Sequence, residues 1–197
     1  MCHVKHTPSC CCRKGCRSAD GCATGWCSSL GTSQRTGVTV AYRQRAADFL
    51  MVRLSNRCCR RPPDFVVGGQ ETPYLKRWYV IPRNPLFNIY LHQFLRSDDD
   101  RALHTHPWAN LSFILNGCYV EHTKDGERHM GKGGLRLRLS GNIAHRIEVR
   151  HGFVWTLFLT GPRYQDWGFL CPQGFVPWQE FTKPGSPGET GNGCGDG

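Results

Sequence analysis

From about residue 64 onward, apolar residues fall in short runs with a period near two, separated by glycine and charged turns. Phe87 to Leu95 is rich in aromatic and β-branched residues with partial alternation, and predicts a strand. A second strand is expected from about Ala102 to Leu115, closed by the turn Asn116-Gly117, with Tyr119 to Thr123 as its hairpin partner. Asp125-Gly126 is another hairpin signal. Leu135, Leu137 and Leu139 alternate with Arg136 and Arg138, the pattern of a half-buried strand with one wet face. Ile143 to Arg150 and Phe153 to Thr160 give two more strands, with His151-Gly152 as the turn between them. No helix-period stretch of useful length follows residue 60. Short strands with glycine turns predict an all-β sandwich or barrel over roughly residues 64–182.

The flanks have a different texture. Seven of the twelve cysteines lie in the first 27 residues: Cys2, Cys10, Cys11, Cys12, Cys16, Cys22 and Cys27. Cys12-x₃-Cys16 and Cys22-x₄-Cys27 fit paired zinc-ligand spacing loosely, with His3 and His6 as further donors, whereas the triplet at 10–12 does not. A disulfide framework is the other ordered reading. The expectation adopted is a disordered Cys-rich extension over residues 1–50, with Met51-Val52-Arg53-Leu54 able to open a shorter chain. Residues 183–197 hold Gly, Pro, Ser, Glu and Asp with almost nothing apolar, and read as a flexible tail.

Composition narrows the class. Apolar residues make up 39% of the chain, beside 23 glycines and 12 prolines, which fits a turn-rich β protein better than a helical bundle. The longest apolar runs, Ala46–Val52 and Phe153–Leu159, are too short to span a membrane, and no signal-peptide pattern opens the chain. A cytoplasmic protein without membrane contact is expected. The net charge of +10 invites a nucleic-acid reading, but residues 1–60 carry ten Lys/Arg against two Asp/Glu while residues 61–197 carry fifteen against thirteen. The expected domain is nearly neutral and lacks the basic stripe of a nucleic-acid binder.

Candidate chemistry centres on His104 and His106, which share one face of a strand and can present two imidazoles to one point. Asp98-Asp99-Asp100 just upstream reads as a solvated turn. The spacing around the pair resembles the cupin family, whose first motif is G-x₅-H-x-H-x₃₋₄-E-x₆-G. His104 and His106 fill the histidine positions, Asn110 stands in the glutamate place and Gly117 ends the motif. In the second motif, G-x₅-P-x-G-x₂-H-x₃-N, Gly134 opens and His145 takes the histidine. Asp98, Asn110, Ser140, Asn142 and Val149 depart from the pattern.

The resemblance implies a single jelly-roll β-barrel and a divalent metal held by His104, His106 and His145. Fe(II) is favoured by analogy over Zn, Mn or Ni. Asn110 cannot supply the motif's negative charge, so a three-histidine ion would keep its full charge and favour an anionic small-molecule substrate, as in the thiol dioxygenase branch. Glu121 on the neighbouring strand is an alternative carboxylate ligand. A metal-free isomerase or epimerase using a histidine base, and a non-catalytic small-ligand binder, are the rival readings. Arg163 and Tyr164, in a loop expected at the barrel mouth, are candidate catalytic residues, Arg163 for a substrate carboxylate and Tyr164 for a bound oxygen species. An Arg163–Asp166 pair holding the loop is the plainer alternative. Trp108, Trp155 and Trp167 could line a pocket or pack the core, His92 and His122 read as structural, and Cys118 as a packing thiol. A homodimer through the sheet edge at Phe65-Val66-Val67 is a further expectation by analogy.

Overall fold

The computed structural model describes residues 34–69, 71, 73–98, 102–185, 189 and 191–195. The Cys-rich stretch up to residue 33, with the zinc and disulfide readings placed on it, lies outside the described residues. The remainder of the expected extension is not disordered. Gln34–Cys58 forms a 25-residue helix, α1. Ala47, Leu50, Met51, Leu54 and Cys58 recur at i, i+3, i+4, i+7 and i+11, which makes one apolar stripe. That stripe packs on Trp78, Leu91, Leu115 and Trp155, and Ala47 is fully buried there. Met51 thus falls inside the helix, and a chain beginning there would lack Ala47 and Leu50 from this contact.

Two six-stranded antiparallel sheets make up the body. The first runs β1 (Phe65–Val67), β2 (Leu75–Tyr79), β3 (Asn88–Phe94), β10 (Val154–Thr160), β5 (Asn110–Asn116), β8 (Leu135–Arg138). The second runs β12 (Gly174–Pro177), β11 (Gly168–Cys171), β4 (Leu103–His104), β9 (His145–Glu148), β6 (Cys118–Thr123), β7 (Gly126–Gly131). No ladder among the described residues joins one sheet to the other, so the expected closed barrel is instead a pair of open sheets. The segment expected as one strand over 102–115 is divided: β4 belongs to the second sheet and β5 to the first. Asn116-Gly117 is therefore a corner between sheets and not a hairpin. Gly117 turns it with φ +79°, where an added Cβ would stand 2.6 Å from the Phe153 carbonyl oxygen. Asp125-Gly126 does close a hairpin, pairing Thr123 with Gly126 between β6 and β7.

Strand β8 inverts the hydrophobic rule. Leu135 and Leu137, with Leu139 just beyond, are 46%, 53% and 77% exposed, while Arg138 is 1% exposed. The arginines face inward because a buried carboxylate, Glu121 of β6, receives them. Between the sheets, one end is filled by Leu75, Phe94, Ile114, Tyr119, Met130, Ile147 and Val154. The other end is closed by Phe169, Cys171 and the short helix α2 (Trp178–Phe181), with Phe169 stacked on Phe181.

The tail after residue 183 is also tied down where described. Lys183 N donates to Glu189 O at 2.9 Å, Gly191 N to Phe181 O at 3.0 Å, and Cys194 is bonded to Cys171. Composition alone missed this because a few backbone bridges and one covalent bond suffice where apolar residues are scarce. No described helix is long and apolar enough to cross a membrane. With a sequence separation of 23 between the paired cysteines, Cys194→Ser should lower the unfolding free energy by about 3 kcal/mol. Denaturant midpoints of the variant and of the reduced wild type should agree; an unshifted midpoint in both would show that the bond constrains nothing.

Candidate metal centre

The three motif histidines meet between the sheets. His104 on β4 lies directly opposite His145 on β9 in the strand register. His106 follows two residues on, held by its N–H to Gly141 O at 2.9 Å and by Gln165 Nε2 donating to its carbonyl at 2.8 Å. Thr105, between them, is turned away and exchanges bonds with Gly168: its N–H donates to Gly168 O, and its Oγ1 accepts from Gly168 N at 3.0 Å. This fixes both neighbouring histidines on the opposite, inward side. The ring centroids form a near-equilateral triangle, 5.2 Å for His104–His106, 4.9 Å for His104–His145 and 5.1 Å for His106–His145. One ring nitrogen from each lies within 4.8 Å of the others.

The donor set fits a metal ion. The Nε2 atoms of His106 and His145 are 2.8 Å apart. Two nitrogens each about 2.0–2.1 Å from one ion and at right angles to each other stand about 3 Å apart. Burial holds all three imidazoles below their ordinary pKa, partly opposed at His104 by Asp98; His106 and His145 lie well below it, helped by the Arg138 guanidinium and by the neighbouring rings. Neutral imidazole is the ligating form. His92 is likewise held well below 6.5, by burial and then by Arg77.

A stability consequence follows from these directions. The folded protein resists protonating these histidines, so as pH falls below the ordinary value of 6.5 the unfolded chain takes up protons first. Their contribution is complete above that value and is lost on acidification. The melting temperature of the metal-free protein should fall between about pH 7 and about pH 5, and less steeply in His92→Phe. A flat profile in both proteins would contradict the neutral, buried state.

Asn110 and Glu121 are both engaged by Arg138 and do not join the group of converging histidine nitrogens. Asn110 Oδ1 accepts from Arg138 Nη1 at 3.1 Å. The Glu121 carboxylate is taken up by Arg136 Nε at 2.9 Å and by Arg138 Nη2, and its Oε1 lies 3.3 Å from His145 Nδ1. It is therefore placed to orient His145 from behind, as carboxylates behind ligating histidines do. Asp98 is not the solvated residue expected: its side chain is 4% exposed, Oδ2 accepts from Ile147 N at 2.7 Å, and the same atom lies 3.8 Å from His104 Nδ1.

Arg163 and Tyr164 are not brought to the histidines. Arg163 makes an exposed ion pair with Asp166 at 2.5 Å, and neither residue lines the cavity around the triad. The Tyr164 hydroxyl accepts from Gly141 N at 2.5 Å, so it braces the loop that in turn holds His106. The cavity measures about 560 Å³ and takes in His104, His106, His145, Trp108, Trp167 and, unexpectedly, His92. Trp155 instead stacks on Trp78 beneath α1, and His122 is held at the surface by Glu148 at 2.7 Å and Glu127 at 3.3 Å.

Two antiparallel sheets thus stand face to face, with three histidines converging between them. No protein-family model matches the chain, and no curated protein matches it. Solved structures that it is similar to include KdgF from Halomonas sp., at 15% identity over 49% of this chain and 87% of that one, with a TM-score of 0.41. The DMSP lyase DddQ from Ruegeria pomeroyi is 16% identical over 56% and 59%, TM-score 0.42. A cupin 2 conserved barrel domain protein from Leptotrichia buccalis is 19% identical over 48% and 44%, TM-score 0.39. A structure described under the DMSP lyases RdDddP and RnDddQII is matched over 47% of its length, so the chain spans about half of that relative. These likenesses cover about half of this chain, and the site stands on its own geometry.

Proposed function

We propose that His104, His106 and His145 hold one divalent metal ion, with Fe(II) favoured, and that the protein is an oxygen-dependent oxidoreductase acting on a small anionic substrate. The observation that carries the reading is the triangle of neutral imidazoles, each offering a nitrogen to one point in the cavity they line. When bound, such an ion supplies open coordination positions at which substrate and oxygen can meet. The chain's own residues do the remainder. Asp98 and Glu121 orient His104 and His145, Gln165 and Gly141 hold His106, and the aromatic walls formed by Phe158, Phe169 and Trp167 exclude water. All three ligands are uncharged, so the ion's positive charge is undiminished and draws an anionic substrate.

The test is elemental mass spectrometry on the full chain, purified without a metal-binding tag and reconstituted anaerobically with ferrous iron. Oxygen uptake is then followed with small carboxylates and thiols. About one equivalent of iron and chelator-sensitive oxygen uptake are expected; absence of bound metal after reconstitution would overturn the reading.

One observation favours a second reading. Arg138 Nη2 lies 3.2 Å from His145 Nδ1. If Nδ1 accepts from it, the imidazole proton sits on Nε2, facing His106 at 2.8 Å, as in a metal-free acid–base pair. Turnover that survives a chelator would select that isomerase-type chemistry.

A further inference from the structure

The charged groups around the cavity are nearly all neutralised within the protein. Arg138 has Glu121, Asp98 accepts from the Ile147 amide and faces His104, and Glu189 at the rim lies 3.5 Å from Lys183. Arg83 at the mouth is exposed to water. Arg77 is the exception. It stands on the inner face of β2, directly opposite His92 of β3. Its Nε donates to His92 Nε2 at 2.9 Å, and no carboxylate among the described residues pairs with it. The guanidinium lies over the Tyr90 ring at 4.8 Å and the Phe65 ring at 5.9 Å, which fixes its plane. Among the described residues its Nη groups have no acceptor, and they are not among the sealed polar atoms left without partners, so that edge faces the cavity it lines. Burial pulls Arg77 below its ordinary pKa, and no carboxylate offsets this.

His92 cannot serve as a counter-charge. It accepts from Arg77, and its ring is stacked between Phe158 at 5.0 Å and Tyr90 at 5.8 Å. It aims the guanidinium and leaves the fork free. Phe158 then reaches His106, ring to ring at 6.3 Å, so Arg77 and the histidine triangle are separated by two aromatic side chains across the space between the sheets. Facing sheets stand about 10 Å apart, which is the reach of a small molecule. A partly buried guanidinium without a counter-charge is costly, and a flat, two-pronged donor matches an oxyanion presenting two parallel oxygens.

We propose that Arg77 is the anchor of a carboxylate subsite, holding the acid group of a small substrate while the substrate's other end lies at the three histidines. This rests on the metal reading only for what lies at the other end; the subsite itself is independent of the ion. A carboxylate is favoured over a phosphate because a single unpaired fork carries one positive charge.

The experiment titrates the full chain with benzoate, butyrate and inorganic phosphate, following the fluorescence of the cavity tryptophans Trp108, Trp167 and Trp178. Each titration is run on chelator-treated and on iron-reconstituted protein. Benzoate and butyrate should bind saturably in both states, and Arg77→Gln should weaken them at least about tenfold, with Arg163→Gln leaving them unchanged. Arg77→Lys keeps the charge and loses the fork, so it should fall between the wild type and Arg77→Gln; it decides the matter if Arg77→Gln does not fold. Phosphate binding that exceeds carboxylate binding and depends equally on Arg77 would overturn the carboxylate assignment. Carboxylate binding that needs iron and ignores Arg77→Gln or Arg77→Lys would overturn the anchor and leave the metal centre standing. Arg77-dependent binding in a protein that takes up no iron would do the reverse.

Discussion

His106→Ala is expected to abolish metal binding while the protein keeps its fold. The substitution removes one corner of a three-cornered donor set, and the remaining pair, His104 and His145, offers too few ligands for a stable site. Loss of a group that merely hydrogen-bonds a ligand commonly weakens a metal site by about 10–100-fold, so removing a ligating imidazole should exceed that. The fold should survive because the His106 side chain contributes one polar contact, to His145 Nε2, while the backbone bonds to Gly141 and Gln165 do not depend on the imidazole. Elemental analysis after anaerobic iron loading, beside circular dichroism of the metal-free proteins, reads both halves. His122→Ala is the control: its histidine binds Glu148 and Glu127 at the surface and should keep the wild-type metal content. Equal iron in wild type and His106→Ala would remove the triad from the metal.

The triad was legible because its signals are local. A two-residue spacing puts His104 and His106 on one face whatever the tertiary fold, and the spacing from Gly134 places His145. Strand pairing was not legible to the same degree. Asn116-Gly117 has the same composition whether it closes a hairpin or turns a corner between sheets, and only the partners of β5 and β6, which lie in different sheets, decide it. Arg138 could not be read as buried from the alternation of β8, since its inversion depends on Glu121 in the other sheet. Arg77 and His92 are neighbours only through the register of β2 on β3, fifteen residues apart in sequence. The helix α1 is a different case: its 3.6-period stripe is present in the sequence, but it runs through the apolar run Ala46–Val52, whose continuity hides the period. Asp98 shares its triplet's composition with residues that a turn can leave in water, and one amide and one imidazole separate it from them.

Glu121→Ala should be the most destabilising single change in this protein. Its carboxylate is fully buried and receives both Arg136 and Arg138, so its removal strands the Arg138 guanidinium, 1% exposed, with no anion in reach. Breaking a buried pair from one side costs about 3–5 kcal/mol, most of it the penalty of the uncompensated charge. Arg138→Met should cost less, because Glu121 keeps Arg136 at 2.9 Å, a partner that is itself 21% exposed and can share solvent. Removing both in Glu121→Ala/Arg138→Met leaves no stranded charge, since Arg136 can turn to water, and should cost less than the sum of the single changes. Denaturant unfolding of the four proteins in a double-mutant cycle measures this; simple additivity would mean that the two groups do not compensate each other. The same carboxylate stands 3.3 Å behind His145 Nδ1, so stability and function meet at one residue. Glu121→Gln, which keeps the shape and loses the charge, should therefore weaken iron binding by about 10–100-fold even where the folded protein can still be isolated. Wild-type iron affinity in that variant would separate the buried ion pair from the metal centre and leave Glu121 a purely structural role.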